Sequence, residues 1–170
     1  MSELRVFDAF SGIGGFRSGV EASKLDPKKF RFVASAESDP TCRSVYQKLF
    51  SDQNEKIFED INHVHTPENP TRNFAPEFDL FLAGFPCQPF ANIGHRRGFD
   101  DERGILIFQI CNILRYYQPK YFILENVQKM RNLGKGDTLD KVFNMLKSTG
   151  YSLCIWDLCA SDYGVPQKRR

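Results

Sequence analysis

The sequence lacks the features that mark secreted, membrane-spanning and metal-binding proteins. Its start, MSELRVFDAF, has neither the cationic segment nor the long apolar run of a signal peptide, and no later run is long enough to cross a bilayer. The five cysteines are odd in number and form no Cys-x-x-Cys, which argues against a disulfide framework and a zinc site. We therefore expect a protein of the reducing cytoplasm that needs no metal.

The charge balance is also uninformative by itself. A net charge of +2 over 170 residues does not predict nucleic-acid binding, and 41% apolar residues suffice for the core of one domain. The basic residues are nevertheless uneven, with one cluster around residues 95–103 and another at 168–170. Such clusters are typical of a solvated face, so a role in binding stays open at this point.

Short apolar runs alternate with helical patterns along the chain, without repeats or low-complexity linkers. This alternation predicts an α/β fold with a mostly parallel sheet and helices on both faces. The predicted strands are Leu4–Phe7, Phe30–Ala36, Lys56–Phe58, Phe78–Ala83, Tyr121–Leu124 and Ser152–Leu158. Ligands of such sheets collect at the carboxyl ends of the strands, so the residues just after each strand are the candidates for function.

Four helices are predicted between these strands. One follows the Gly-rich turn SGIGG, and one begins at Asp39-Pro40 with an apolar stripe of Cys42, Val45, Tyr46 and Leu49. A third follows the long loop Gly84–Arg103 and carries Leu106, Ile110, Ile113, Leu114 and Tyr117 on one face. The fourth spans Thr138–Lys147, with Leu139, Val142, Phe143 and Leu146 inward and Gly150 ending it.

The first strand leads into FSGIGGF, a turn that contains Gly12, Gly14 and Gly15. Glycines allow close approach of a ligand to the backbone, and the helix N-terminus that follows offers free N–H groups. Glu37 ends the second strand, where a carboxylate commonly takes ribose hydroxyls, and Asp60 follows the third. Together they indicate a pocket for a nucleoside-type cofactor, although each alone is also compatible with an ordinary turn or loop acid.

Two further residues could carry chemistry. Cys87 lies in GFPCQPF just past a strand, ahead of arginine-rich sequence that favours a thiolate, so it is either a nucleophile or a small core residue. Glu125 follows the apolar run YFIL at the same predicted edge of the sheet. We expect a buried carboxylic acid there whose raised pKa lets it give a proton to a ring nitrogen; a capping acid is the alternative.

The order of four blocks resembles the signature motifs of the DNA cytosine-5 methyltransferases, most closely the bacterial restriction-modification enzymes. The blocks are FSGIGG, Pro86-Cys87-Gln88, Glu125-Asn126-Val127 and Gln167-Lys168-Arg169, and the likeness runs from residue 5 to the last residue. It implies a Rossmann-like, class I S-adenosylmethionine-dependent methyltransferase fold. It also implies methyl transfer to C5 of a flipped-out cytosine in double-stranded DNA, in a bacterial or phage cytoplasm.

The resemblance also implies roles for individual residues. Cys87 would attack C6 of cytosine, with Glu125 and Arg169 as the other catalytic residues. The positions matching the S-adenosylmethionine pocket are Phe10, Gly12, Ile13, Gly14, Gly15, Glu37, Ser38, Asp60, Ile61, Gly84, Pro86 and Leu106. The positions matching the DNA-binding loop are Gln88, Arg96, Arg97 and Arg103.

The sequence departs from the family pattern in two respects. Ser38 stands where a bulky residue often stacks on adenine. The chain also stops one residue before a second arginine of the motif that contains Arg169, so residues 1–170 match a catalytic domain without the target-recognition domain and final motif. We therefore expect an incomplete sheet, in which the Ser152–Leu158 strand lacks its inner neighbour, and a need for a second polypeptide or the missing C-terminal half.

The sequence is also compatible with two other functions: an inactive cofactor- or DNA-binding fragment, and a transfer RNA cytosine-5 methyltransferase. The latter shares Pro-Cys-Gln-Pro-Phe, but RRGFDDERG is more similar to the bacterial DNA enzymes.

Overall fold

A computed structural model describes residues 3–23, 26–50, 54–86 and 105–167. The five strands are β1 (Leu4–Ala9), β2 (Phe30–Ala36), β3 (Lys56–Phe58), β4 (Leu80–Gly84) and β5 (Tyr121–Glu125). The four α-helices are α1 (Gly15–Ala22), α2 (Pro40–Leu49), α3 (Ile105–Tyr117) and α4 (Asp137–Lys147). Short 3-10 segments occupy Pro27–Lys29, Ile61–His63, Gln128–Gly136 and Ala160–Tyr163. The predicted elements are thus present with one exception, described below.

The chain divides into two compact units. The first unit contains Met1–Phe85 and Asn112–Glu125 and includes the whole sheet. The second contains Pro86–Cys111 and Asn126–Arg170, and within it α4 follows the 3-10 segment Gln128–Gly136 directly. In that second unit Val142 and Leu146 of α4 are buried, and Gly150 ends the helical region with a φ of 94°.

The sheet of the first unit is entirely parallel, in the order β3-β2-β1-β4-β5. The chain moves outward from β1 to β3, then returns to the other side of β1 for β4 and β5. The direction of winding therefore reverses between β1 and β4. In open parallel sheets this reversal opens a crevice at the carboxyl ends of the two strands, where ligands bind. The segments after β1 and β4, which hold the Gly-rich turn and the chain toward Cys87, flank that point.

Both faces of the sheet are apolar, as expected for parallel strands covered by helices. On one face Val6, Phe32, Leu80 and Leu82 form a buried cluster, and Phe16 and Val20 of α1 pack against it. On the other face lies a group of aromatic rings. Phe7 contacts Phe58, Phe78 and Phe81 at centroid distances of 5.3–5.9 Å, and Phe78 contacts Tyr117 of α3 at 5.2 Å.

Helix α2 begins as its sequence predicts. The Asp39 carboxylate accepts hydrogen bonds from the N–H groups of Thr41 and Cys42 at 2.7 and 3.0 Å, and Pro40 occupies the first helical position. These bonds to backbone N–H groups hold the pKa of Asp39 below its usual value. The predicted apolar stripe of this helix is only partly right. Tyr46 is buried, but Val45 and Leu49 are exposed.

The predicted strand Ser152–Leu158 is wrong for this structure. Residues 151–159 form no strand, and Ile155, Trp156 and Leu158 are exposed. The alternating pattern is real, but a strand also requires a neighbour for its N–H and C=O groups, and no described segment pairs with it. This agrees with the expectation of a partial sheet. None of the described helices has the length and apolar character needed to cross a membrane.

Candidate active site

The turn after β1 has an unusual backbone, in which two glycines and one other residue adopt left-handed conformations. Phe10, Gly12 and Gly14 have φ angles of 57°, 55° and 93°. Phe10 is one of two described residues other than glycine in the left-handed region, a cost that proteins tend to accept at functional sites. A side chain at Gly14 would collide with the Phe50 ring, whereas the space around Gly12 and Gly15 is open. The turn thus presents bare backbone on its outer side, as a ligand cradle requires.

Glu37 ties this turn to the end of β2. Its Oε2 accepts a hydrogen bond from the Gly12 N–H at 2.8 Å, and its Oε1 accepts one from the Asp39 N–H at 2.8 Å. The backbone adds a second link, because the Ser11 N–H donates to the Ala36 carbonyl at 3.1 Å. Glu37 therefore lies beside the Gly-rich turn, with both carboxylate oxygens bound to backbone N–H groups.

The end of β3 joins the same group. The Glu37 N–H donates to the Phe58 carbonyl at 3.1 Å, which sets the end of β2 beside that of β3. Two residues further, the Asp60 Oδ1 accepts a hydrogen bond from the Asn62 N–H at 2.8 Å and caps a short 3-10 segment. Ile61 is buried behind it. The three strand ends that the sequence assigned to a cofactor pocket therefore meet in the first unit.

A buried polar group beneath the turn was not anticipated. Asp8 of β1 is fully buried opposite Ser35 of β2, and neither its carboxyl oxygens nor the Ser35 hydroxyl has a hydrogen-bond partner within the described residues. Burial, reinforced by the charges of Glu55 and Glu37 and opposed by Arg17, raises the pKa of Asp8 to about 7. An aspartate inside the apolar run LRVFDA was the available signal in the sequence.

The neighbouring charges are tightly paired. Arg17 of α1 donates through Nη1 to the Glu55 Oε2 at 2.6 Å, and the Tyr46 hydroxyl donates to the Glu55 Oε1 at 2.9 Å. The Arg17 guanidinium also lies over the Phe50 ring, 4.6 Å from its centroid. These contacts fix α1, α2 and the residue before β3 against one another. They hold in place α1, the helix that follows the Gly-rich turn. None of these contacts involves Asp8.

Glu125 lies at the carboxyl end of β5, directly opposite Gly84 at the end of β4. A Cβ built at Gly84 would lie 3.5 Å from the Glu125 Oε2 and 3.8 Å from the Phe16 ring. The carboxylate therefore lies over the strand end from which the chain continues, three residues later, to Cys87. Contrary to expectation Glu125 is exposed rather than buried, because β4 is the single strand that pairs with β5 in the described part of the chain.

The sequence-predicted site residues fall into three groups. The first unit brings together Phe10, Gly12, Ile13, Gly14, Gly15, Glu37, Ser38, Asp60, Ile61, Gly84 and Glu125 at the carboxyl ends of its strands. Pro86, which is exposed, and Leu106, which is half-buried on α3, belong to the second unit. The predictions for Cys87, Gln88, Arg96, Arg97, Arg103 and Arg169 lie outside the described residues.

Across residues 3–23, 26–50, 54–86 and 105–167, no group of three or more His, Cys, Asp or Glu side chains is placed to hold a metal ion.

Comparison with known proteins gives a consistent result. The family model described as C-5 cytosine-specific DNA methylase matches residues 4–170. The type II methyltransferase M.NgoBI of Neisseria gonorrhoeae is 41% identical over 97% of this chain and 48% of its own length. M.HaeII of Haemophilus aegyptius is 39% identical over 99% of this chain and 49% of its own length.

A solved structure supports the fold. The methyltransferase EhMeth of Entamoeba histolytica matches with a TM-score of 0.67 and 20% identity, over 99% of this chain and 52% of that one. The predicted methyltransferase fold is thereby confirmed, with a sheet that is only partial. The chain spans about half the length of the curated relatives it matches.

Proposed function

Because the chain belongs to the C-5 cytosine-specific DNA methylase family, we propose that it provides the catalytic half of an enzyme that methylates C5 of cytosine in double-stranded DNA. S-adenosylmethionine is the methyl donor that the family and fold imply. The observation that carries the proposal is the position of the Glu125 carboxylate over the end of β4, three residues before Cys87.

Cys87 is the proposed nucleophile, because C5 of cytosine is too weakly nucleophilic to react unaided. The thiolate forms a bond to C6, and the electron pair of the C5–C6 double bond makes C5 enamine-like. When bound, S-adenosylmethionine would supply an electrophilic methyl group, whose bond to the donor sulfur breaks as the C5 electron pair forms the new carbon–carbon bond. Loss of the C5 proton to solvent re-forms the C5–C6 double bond and returns the C6–S electron pair to Cys87, so that one difficult step becomes two easier ones.

Glu125 is proposed to hold N3 and the exocyclic amine of the flipped-out cytosine. A protonated carboxyl can donate to N3, which stabilises the charge that develops on the ring when the thiolate adds to C6. Its exposure leaves the carboxyl accessible to a base, and Gly84 opposite it contributes no side chain of its own. Arg169 is the third proposed catalytic residue.

The residues of the first unit fit the proposed cofactor. The open backbone at Gly12 and Gly15 suits close approach of a ligand, and the Glu37 carboxylate beside Gly12 has the chemistry to accept ribose hydroxyls. Asp60 is the proposed acceptor for the adenine amino group. Ser38 provides no ring for the adenine, so the proposed pocket depends more on hydrogen bonds than on stacking at that position.

Covalent trapping tests the proposal directly. DNA in which the target cytosine carries fluorine at C5 cannot lose a proton from that carbon, so an enzyme that has added to C6 and transferred its methyl group stays attached. With residues 1–170 co-expressed with the C-terminal half of a relative such as M.NgoBI, we expect a denaturation-resistant protein–DNA adduct that requires S-adenosylmethionine. The adduct should disappear in Cys87→Ala and persist in Cys154→Ala, which removes an exposed free cysteine.

Three outcomes separate the alternatives. An adduct that survives Cys87→Ala would refute the covalent role of that residue. Binding of cofactor or DNA without any adduct would favour an inactive binding fragment. Transfer of methyl groups to transfer RNA in preference to DNA would favour the RNA enzymes. In Glu125→Gln we expect adduct formation to slow by about 10²-fold or more, because general acid catalysis typically contributes that much.

We also propose that activity needs a further segment that extends the sheet beside β5, supplied by a C-terminal continuation or by a second polypeptide. Two features support this proposal: the position of β5 at the edge of the described sheet, and the absence of strand structure at residues 151–159. Co-expression with the C-terminal half of a relative such as M.NgoBI should yield methylation of DNA that depends on Cys87. Strong site-specific methylation by residues 1–170 alone would contradict it.

A further inference from the structure

Arg43 makes contacts that neither the sequence pattern nor the proposed chemistry assigns. It lies in the first turns of α2, and its Nη1 donates to the Glu37 carbonyl at 2.8 Å and to the Ser38 carbonyl at 3.0 Å. On its other side, Nη2 lies 3.8 Å from the Glu59 carboxylate. Although charged, its side chain is only 18% exposed. One guanidinium thus connects the end of β2, the start of α2 and the residue before Asp60.

The two carbonyls that Arg43 binds belong to the segment that presents the Glu37 carboxylate. That carboxylate spans the Gly12 and Asp39 N–H groups, so both of its oxygens depend on the backbone path between β2 and α2. Ser38, in the middle of this path, is small and exposed and cannot fix it by packing. The backbone there is therefore held by hydrogen bonds, and Arg43 supplies two of them.

We propose that Arg43 is a positioning residue, which holds the Glu37–Ser38 backbone so that the Glu37 carboxylate is oriented for the cofactor ribose before the cofactor arrives. The cofactor part of this inference rests on the proposed function. A planar guanidinium can serve two adjacent carbonyls while an acid orients its far side, a geometry that a lysine ammonium reproduces poorly. Preorganisation of this kind lowers the cost of binding, since less ordering remains to be done when the ligand arrives.

The first test measures the positioning itself, in the chain without cofactor. In Arg43→Met, which keeps the length of the side chain, amide hydrogen exchange at Gly12 and Asp39 should become about tenfold faster, because these N–H groups are bonded to the Glu37 carboxylate. Arg43→Lys should give an intermediate rate. Arg31→Met is the matched control, because Arg31 is half exposed and forms an ion pair with Glu3 at 3.0 Å, away from the turn.

The second test separates binding from catalysis in the co-expressed complex described above. Arg43→Met should raise KM for S-adenosylmethionine about tenfold while kcat and KM for DNA change less than twofold, because the Glu37 carboxylate contacts the cofactor and not the reacting atoms. Arg43→Lys should recover part of the affinity. A purely structural role would instead lower the yield of folded enzyme and leave KM unchanged.

The results that overturn the inference are distinct from those that overturn the proposed function. Unchanged exchange at both Gly12 and Asp39 in Arg43→Met, or equal acceleration in Arg31→Met, would refute positioning by Arg43 whatever the enzyme's activity. So would a fall in kcat at constant KM. If the adduct test fails while exchange responds as expected, the positioning stands and the assigned reaction falls.

Discussion

Replacing Asp8 by asparagine should change how the stability of the protein depends on pH. Burial raises the pKa of this carboxyl from 3.8 to about 7, so the folded protein retains a proton that the unfolded chain releases. The stabilisation from this proton is complete below about pH 4 and is lost as the pH rises through about 7. The difference of about three pKa units, at about 1.4 kcal/mol per unit, corresponds to about 4 kcal/mol.

The assay is urea unfolding followed by far-ultraviolet circular dichroism at pH 5, 6, 7 and 8. About 3 kcal/mol of the stabilisation remains at pH 5 and almost none at pH 8. An asparagine side chain cannot ionise, so the free energy of unfolding of Asp8→Asn, minus that of the unaltered protein, should rise by about 3 kcal/mol across this range. Titrating groups that do not interact with Asp8 cancel in the difference. Asp140→Asn, at an exposed position on α4, is the control and should give a flat difference.

The sign of the change in stability at high pH distinguishes an unpartnered buried carboxylate from one that forms an ion pair. Replacing an acid that forms an ion pair would destabilise the protein at high pH, whereas removing an unpartnered buried charge should stabilise it there. A difference between Asp8→Asn and the unaltered protein that stays constant from pH 5 to pH 8 would refute the reasoning. A constant difference is what Asp8 would give if it were ionised and paired in the folded state, because its titration would then lie below pH 5.

Three further substitutions test other parts of the first unit. Gly14→Ala should cost about 1–3 kcal/mol of stability, measured by thermal unfolding, because a left-handed backbone and a facing aromatic ring both oppose a side chain. Asp79→Ala should cost about 1–3 kcal/mol at pH 7, because the Arg5 N–H and guanidinium would lose a carboxylate acceptor. Hydrogen bonds from Arg5 hold the pKa of Asp79 well below its usual value of 3.8, so the difference from the unaltered protein should shrink progressively as the pH falls below about 4. Tyr46→Phe should cost about 1–2 kcal/mol in urea unfolding, because the buried Glu55 would lose its hydroxyl donor.

Each of these substitutions has a counterpart elsewhere in the chain. Gly19 lies within α1 with open space around it, so Gly19→Ala should stabilise the protein by about 0.5–1 kcal/mol. Glu77 also binds Arg5 but is exposed, so Glu77→Ala should cost less than Asp79→Ala. Tyr121 is exposed, and Tyr121→Phe should be neutral. Equal effects for a test substitution and its counterpart would mean that the named contact is not the cause.

Local patterns in the sequence predicted most of the first unit. The bounds of β2 and β3 agree with the prediction residue for residue, and Asp39-Pro40 gave the start of α2, because these signals depend on neighbours in the chain. The strand predicted at residues 152–158 failed for the opposite reason. Its alternating pattern is local, but strand formation depends on a partner that the pattern does not contain.

The candidate site also contains some residues whose positions the sequence predicts and others whose roles it does not. The positions of Glu37, Asp60 and the Gly-rich turn follow from the rule that parallel strands end at one edge, so they could be predicted. The exposure of Glu125 could not be predicted, because it depends on which strands flank β5. The roles of Asp8 and Arg43 were also missed. Asp8 gave a signal, a charge within an apolar strand, whereas the carbonyls that Arg43 binds leave no trace in the sequence.

The position of β5 at the edge of the sheet, as far as the structure describes it, has a consequence for the folding of the protein in the cell. An exposed strand edge with apolar residues is a template for pairing with any other extended chain, and YFIL has the composition of such a segment. Lys120 and Glu125 flank it with opposite charges, the arrangement by which natural sequences discourage aggregation of a strand they cannot do without. The strand that presents Glu125 is thus also one that needs protection from a wrong neighbour while the protein folds.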